Sequence, residues 1–233
     1  MFLAYPIADH VKDVRKHMAR SAPGNAAVET PAGTSTPAAS PEAGSTAQRE
    51  RRRRILDATL ALASKGGYDA VQMRTVADKA DVAVGTLYRY FPSKVHLLVT
   101  ALAREFERVE SKVDRSQLRG DTAIDRLRHV LDMITFAMQR DPLLTEAMTR
   151  AFMFADASAT AEVDQVAGII DRLLAGAIVD EGEPTEEDLA IARVLSDVWM
   201  SNLVQWLTRR ASATDVTNRL ELTVRLLLKD RAN

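Results

Sequence analysis

The spacing of apolar residues is the feature that most restricts the fold of this chain. From Gln48 onward, apolar residues recur at intervals of three and four, which places them along one face of a helix. The first stripe consists of Ile55, Leu56, Thr59, Leu60 and Ala63. The pair Gly66-Gly67 then ends that helix, as glycine after the last periodic residue does. No segment alternates apolar and polar residues as a strand does, so the pattern predicts an all-α fold.

The composition changes before the first helix. Residues 21–47 contain four Pro, three Gly and eight Ala, and Val28 is their only larger aliphatic residue. Ordering this segment would bury too little apolar surface to offset the lost backbone entropy. We therefore expect residues 1–47 to be a disordered tail or flexible arm. Three helices are expected in 48–93, and a larger helical bundle in 94–233.

The helices of the bundle have recognisable ends. The first, at about 94–113, is capped by Ser93 and connects the two parts of the chain. Pro142 suits a first-turn position, and Thr185 with Asp188 resembles a capping box. The remaining predicted helices span Asp121–Arg140, Pro142–Phe154, Ser158–Asp180, Thr185–Arg210 and Thr214–Arg231.

Several classes of function are excluded by residues that the sequence lacks. Cysteine is absent from all 233 residues, which rules out disulfides, thiol catalysis and Cys-ligated metals. The longest charge-free apolar stretch, Val198–Thr208, is too short to cross a bilayer. His96 and His129 have no partner cluster, and no catalytic or phosphate-binding motif stands out. We expect no catalytic residues, metal, cofactor or membrane contact, and a cytoplasmic protein.

Charge is unevenly divided along the chain. The net charge of -1 argues at face value against binding to a polyanion. Residues 49–105, however, hold eleven Lys and Arg against six Asp and Glu, a net charge of +5, and residues 106–233 carry -6. The run Arg49–Arg54 includes Arg51 and sits at the predicted start of a helix, where the macrodipole disfavours cations. Binding of a polyanion would offset this unfavourable interaction. Alternatively, the basic run is simply the solvent-exposed start of a helix.

The segment Met73–Phe91 has the spacing of a helix–turn–helix, with two short helices around a turn of three or four residues. At about 100° per residue, one face of the second helix holds Val84, Leu87 and Phe91. The outer face and its flanks hold Gly85, Thr86, Tyr88, Arg89 and Tyr90. The apolar face should pack inward. The residues of the outer face would be unusual on a helix whose only role is to pack against its neighbours.

The outer set suits a DNA major groove. Arg89 can pair with guanine, Thr86 can meet a base edge, and Tyr88 and Tyr90 can reach phosphates. Glycine at position 85 lets the helix approach a surface closely. The alternative for both tyrosines is packing against the fourth helix. Two further candidates for phosphate contact are Arg74 and Lys94, for which the alternative is simple exposure to solvent.

The residues Asp81–Phe91, followed by Lys94, resemble the signature of the TetR family, a turn followed by G-T-L-Y-x-Y/H-F and a lysine. The resemblance implies a homodimeric repressor whose three-helix head, residues 48–93, reads a palindromic operator. A helical body would bind an effector and dimerise. The sequence departs from the pattern at Asp81, where glycine is common, and at Ala83, where a serine usually caps the recognition helix. Aspartate tolerates the left-handed conformation, whereas Ala83 cannot cap.

A finer resemblance spans most of Arg51–Leu228. The stretches RDPLLTEAMTRAFMFADASA and SDVWMSNLVQWLTRRASATDV are similar to actinobacterial TetR-type repressors of sterol catabolism. This resemblance implies that the inducer is the coenzyme A thioester of a 3-oxo-sterol side-chain acid.

Methionine and aromatic side chains are concentrated in the acidic half of the chain and fall on shared helix faces. They suit an apolar ligand pocket between helices, and the alternative is plain core. The candidate pocket residues are Met133, Phe136, Met148, Phe152, Trp199, Asn202, Leu203 and Trp206. Among them, Asn202 is a candidate hydrogen-bond partner for a ketone.

The last two helices, at about 185–210 and 214–231, carry broad apolar faces that include Leu195, Leu220 and Val224. These faces either complete the bundle or face a second copy, and dimerisation is favoured because one small head offers few DNA contacts. The sequence leaves other functions open. One is a similar repressor that responds to a fatty acyl-CoA or another hydrophobic molecule, and another is a helical enzyme or lipid carrier.

Overall fold

The computed structural model describes residues 41–113, 120 and 122–229, and within these ranges every regular element is a helix. The all-α prediction is confirmed. In chain order, helices α1 to α9 span Pro41–Ala70, Met73–Ala80, Val84–Tyr90, Lys94–Glu110, Ala123–Arg140, Pro142–Met153, Thr160–Ile178, Glu186–Leu207 and Ala213–Leu227. A short 3₁₀ turn at Ala157–Ala159 precedes α7.

Helix α1 begins before the predicted boundary of the tail. Its first residue is Pro41, so residues 41–47 are helical, and residues 1–40 lie outside the described residues. Extending an existing helix adds one hydrogen bond for each residue that is ordered, and Ala43 and Ala47 favour it. At the other end, Gly67 has a φ of 65° and leaves the helical conformation, as the glycine pair predicts.

Side-chain caps fix the ends of the helices in the body. The Ser93 hydroxyl accepts a backbone N–H in the first turn of α4, as expected. Thr185 and Asp188 form a complete capping box at α8, and Ser212 and Asp215 form a second one at α9. Hydrogen bonds from Ser212 lower the pKa of the Asp215 carboxyl, because they stabilise its charged form.

Helix α4 is the centre of the molecule. Every residue from Leu97 to Ala103 is buried, and the helix packs against α1 in the head and against α6 and α7 in the body. The head has its own apolar core, which includes Ile55, Leu56, Val76, Leu87 and Phe91. The last turn of the head leads directly into α4, since α3 ends at Tyr90 and α4 starts at Lys94.

Two buried side chains join the helices of the body. The Trp199 ring is 1% exposed and meets Phe106 edge to face at 6.1 Å, while its Nε1 donates to the Thr135 hydroxyl at 3.1 Å. These contacts connect α8 with α4 and α5. The Arg126 guanidinium donates to the last two carbonyls of α7, at 3.2 and 3.0 Å, which would otherwise lack partners at the helix end.

Candidate nucleic-acid interface and ligand cavity

Helix α3 has one buried and one exposed face, as the spacing of its residues predicts. Leu87 is fully buried and Phe91 is 3% exposed, so this side is fixed in the core of the head. Gly85 and Arg89 lie one turn apart on the opposite side, and both are exposed. Tyr88 is 47% exposed beside them. The exposed face therefore combines a guanidinium, a phenol and bare backbone.

The position of Gly85 leaves the backbone open to an approaching surface. A Cβ built there meets no atom of the described residues within 4 Å. Thr86 and Tyr90 are half-buried, and the Tyr90 ring packs against the core at 6.3 Å from the Phe91 ring. Tyr90 therefore has partly the packing role that was the alternative to DNA contact, whereas the exposed Tyr88 does not. Contacts of all these residues with DNA stay predictions.

The turn before α3 accommodates both departures from the family signature. Asp81 adopts the left-handed conformation, with φ 53° and ψ 57°, as expected of an aspartate that replaces glycine. Ala83 occupies the N-cap of α3, and no side chain of the described residues caps this end. The Ala83 carbonyl still accepts the backbone N–H groups of Thr86 and Leu87, at 2.9 and 3.1 Å. The recognition helix is therefore held mainly by its buried face.

The basic run does not lie at a helix start. Because α1 begins at Pro41, Arg49 is more than two turns inside the helix, where the macrodipole no longer disfavours cations. The argument from that conflict is therefore wrong. The run does flank the recognition helix, since Arg54 pairs with Asp81 at 3.5 Å and Arg52 lies over the Phe91 ring at 5.8 Å.

The other candidates for phosphate contact differ in exposure. Arg74 on α2 is exposed and Arg51 is half-buried. Lys94 is half-buried, and its Nζ lies 3.7 Å from the centroid of the Tyr68 ring. Burial lowers the pKa of the Lys94 ammonium, because partial loss of water disfavours its charge. Lys94 is thus part of the joint between head and body, and its contact with a phosphate stays a prediction.

An apolar cavity of about 220 Å³ lies between α4, α5 and α6. Its wall consists of Leu102, Glu105, Phe106, Val109, Met133, Ile134, Ala137, Met138, Asp141, Leu144, Thr145 and Met148. The Thr145 hydroxyl donates to the Met138 carbonyl at 2.6 Å, so its proton is already used. Glu105 is paired with Arg108 at 2.8 Å. The wall therefore offers apolar surface and two carboxylates, but none of these twelve side chains is a cation.

Of the eight predicted pocket residues, Met133 and Met148 line this cavity and six do not. Phe136 is 64% exposed under Arg140, and Phe152 packs beside the core. Trp199 lies behind Phe106 rather than in the wall, and Leu203 is buried one turn further along α8. These side chains share helix faces as predicted, but the faces meet other helices.

Asn202 and Trp206 lie in a different part of the body, where α8 meets α9. The Asn202 amide donates to the Val198 carbonyl at 2.8 Å and accepts from Arg219 at 3.3 Å, so it joins α8 to α9. Trp206 borders a shallow polar depression with Ser212. Asn202 is not in the wall of this cavity, and its hydrogen bond to a ketone stays a prediction.

Sequence reasoning missed the contribution of α4 to the cavity. Four of the twelve wall residues are on that helix, between Leu102 and Val109. The sequence did contain a signal for this contribution. A helix that is apolar on several sides and connects two domains must be covered by other helices on those sides. A second missed residue is Thr149, which is 5% exposed and whose hydroxyl has no partner among the described residues.

Two further properties concern the described ranges as a whole. No three His, Asp or Glu side chains there come together as ligands for a metal ion. None of the described helices is both long enough and apolar enough to cross a membrane.

Comparisons with known proteins agree with this geometry. Residues 55–101 match the family described as "Bacterial regulatory proteins, tetR family", and residues 120–227 match "Tetracyclin repressor-like, C-terminal domain". The chain is 73% identical over 186 residues to the HTH-type transcriptional repressor KstR of Rhodococcus jostii, covering 80% of this chain and 86% of that protein. The first family match includes the recognition helix, and the second includes the cavity-wall residues of α5 and α6.

Two solved structures show a similar fold. A TetR transcriptional regulator from Rhodococcus sp. RHA1 superposes with a TM-score of 0.70 at 32% identity, covering 79% of this chain and 98% of that one. The FadR repressor of Thermus thermophilus, solved in complex with lauroyl-CoA, superposes with a TM-score of 0.56 at 22% identity, covering 76% and 93%. At 22% identity, the similarity to the FadR structure shows only a shared fold.

Proposed function

Because the chain belongs to the TetR family of bacterial regulatory proteins and is a KstR-like transcriptional repressor, we propose that it represses genes of lipid and sterol catabolism. It binds a palindromic operator as a homodimer in the cytoplasm, at the nucleoid. It leaves the operator when a sterol-derived acyl-CoA, the thioester of a 3-oxo-sterol side-chain acid, enters the cavity. The protein is a regulator and not an enzyme, as its curated relatives are.

One observation carries the ligand-responsive part of this proposal. The helix that forms a third of the cavity wall, α4, is separated from the recognition helix by only three residues. A ligand that shifts α4 must therefore move the head. Such a ligand lowers operator affinity only if it binds one arrangement of the body better than the other.

The chemistry of the wall favours a neutral apolar group. Glu105 and Asp141 would repel a free carboxylate, whereas a thioester carries no charge at that position. Ligand pockets usually measure about 300–1,000 Å³, so the cavity must widen if it is to hold a fused-ring acid completely. Three methionines in the wall suit this, because their side chains adapt to new shapes.

The homodimer is proposed to form through α8 and α9. Leu195, Leu220 and Val224, taken from the sequence as candidate interface residues, are buried inside one chain and complete the bundle. The exposed apolar residues are instead Val194 on α8, at 48%, with Leu222 and Leu226 on α9, at 58% and 65%. Leu222 and Leu226 are one turn apart and form a continuous apolar strip.

The experiment is a fluorescence anisotropy titration of the full chain on an operator selected from random DNA. The CoA thioester of a 3-oxo-sterol side-chain acid should release the DNA, and the corresponding free acid should release much less. Operator binding that persists at saturating thioester would exclude it as the inducer.

The alternative is a repressor that responds to a fatty acyl-CoA, and it shares the same apolar cavity. Lauroyl-CoA, the ligand in the FadR structure, serves as the competing probe in the same titration. Release by lauroyl-CoA at lower concentration than by the sterol thioester would favour the alternative.

A further inference from the structure

The head touches the body at a second place besides α4. The backbone N–H of Tyr68, just after the kink in α1, donates to Oε2 of Glu146 on α6 at 2.9 Å. This close approach requires Gly67, whose φ is 65° and whose Cβ, if present, would lie 2.9 Å from the same oxygen. The end of α1 is thus seated directly on α6.

The ring of Tyr68 lies against two cations. The Lys94 ammonium is 3.7 Å from its centroid, and the Arg150 guanidinium is 4.4 Å from it. Arg150 is also 3.6 Å from Asp69 and 3.7 Å from Glu146. We call Tyr68, Asp69, Lys94, Glu146 and Arg150 the Tyr68 clamp. The hydrogen bond from the Tyr68 N–H and the two cation–π contacts orient the head on α6, and the exposed ion pairs of Arg150 add little to them.

The same helix forms part of the cavity wall. Leu144, Thr145 and Met148 of α6 line the cavity. At about 100° per residue, Glu146 and Arg150 are on roughly the opposite side of the helix from Met148. Because α6 is only 12 residues long, a shift of its cavity side is expected to move its other side as well. One side of α6 therefore faces the cavity, and the other side faces the head.

Resting on the proposed function, we propose that the Tyr68 clamp transmits filling of the cavity to the DNA-binding head. The cavity of about 220 Å³ is smaller than most ligand pockets, so a fused-ring ligand that enters it completely displaces part of its wall. Displacement of α6 away from α4 carries Glu146 and Arg150 with it and turns the head through Tyr68. Glu146 and Arg150 are positioning residues, because they neither line the cavity nor lie on the recognition helix.

The test uses the full-length double variant Glu146→Gln with Arg150→Met. Both side chains are partly exposed, at 39% and 46%, so the change leaves the core intact. The matched control is Arg172→Met, which removes a similar contact of 3.1 Å to Glu110 at the far end of α4. A second variant, Tyr68→Leu, removes the ring from the other side of the joint.

Three quantities are measured for each protein: operator affinity alone, thioester affinity alone by calorimetry, and operator affinity with saturating thioester. In the double variant and in Tyr68→Leu, operator affinity alone and thioester affinity alone should stay within about threefold of wild type. The ratio of operator affinities without and with thioester should fall at least tenfold. The Arg172→Met control should retain the wild-type ratio.

Two results overturn the proposal separately from the proposed function. An unchanged ratio in both clamp variants shows that coupling runs through α4 alone. A tenfold loss of operator affinity without thioester shows that the clamp shapes the head itself. A wild-type protein that releases DNA with neither the sterol thioester nor lauroyl-CoA refutes the proposed function, and the role of the clamp with it.

Discussion

Replacing Gly85 by alanine should change stability and operator binding in opposite directions. Gly85 sits inside α3 with helical backbone angles, and a Cβ there meets no atom of the described residues within 4 Å. Alanine in a helix interior is favoured over glycine by about 0.5–1 kcal/mol, which is an upper bound for Gly85 as the second residue of α3. In a chain of this size that gain corresponds to a rise in Tm of roughly 1–4 °C.

The same methyl group should obstruct the surface that we propose faces DNA. It lies one turn from Arg89 on the exposed side of α3 and holds the backbone away from the base edges. A loss of about 1 kcal/mol in each half-site, doubled in the proposed homodimer, should weaken operator binding roughly thirtyfold. Anisotropy titrations at fixed salt measure this loss, because phosphate contacts depend strongly on ionic strength.

The control is a second glycine-to-alanine change inside a helix. Gly168 in α7 leaves room for a Cβ, with its nearest neighbour the Arg172 guanidinium at 3.5 Å. Gly168→Ala should raise Tm similarly and leave operator affinity unchanged. Our reasoning about α3 is refuted if Gly85→Ala raises Tm and still binds the operator as tightly as wild type.

The remaining predictions concern single side chains. Arg89→Ala should lose about 1–3 kcal/mol at one operator position and relax base preference there, as measured by competition with operators changed at that position. Thr149→Val should raise the free energy of unfolding by about 1 kcal/mol in urea titrations, because it removes a buried hydroxyl that has no partner among the described residues; a fall would show that the hydroxyl is bonded. The pKa of Asp215 is lowered by hydrogen bonds from Ser212, so its contribution to stability is present above the unfolded pKa near 3.8 and is lost as pH falls through the lower folded value. The Tm of Asp215→Asn should therefore fall less than that of wild type below pH 4, and equal slopes would contradict this.

Local signals in the sequence predicted the helices and the recognition helix well. Glycine at 67, the Ser93 cap and the Thr185 capping box each act within a few residues, so their effect is visible in the sequence itself. The exposed face of α3 follows from the same local periodicity. The start of α1 was missed because helix extension into a polar segment leaves no apolar pattern.

The cavity was less predictable, for a physical reason. Periodicity shows which residues share a helix face, but not which neighbouring helix that face meets. Trp199 and Asn202 do lie on the inner side of α8, yet α8 packs mainly against α7 and α9, and Trp199 reaches only the back of Phe106, while the cavity lies between α4, α5 and α6. Pairing of helices depends on contacts far apart in sequence, as the Arg126 link to α7 also shows.

The seating of Tyr68 on α6 bears on how such proteins can be recombined. A chimera that joins residues 48–93 to the body of another family member keeps the tyrosine but loses Glu146 and Arg150. The transplanted head would still recognise its operator, yet it would respond weakly to the ligand of the new body. The contact surfaces of head and body must therefore fit each other. A sensor built by exchanging heads also needs the α6 surface that carries Glu146 and Arg150.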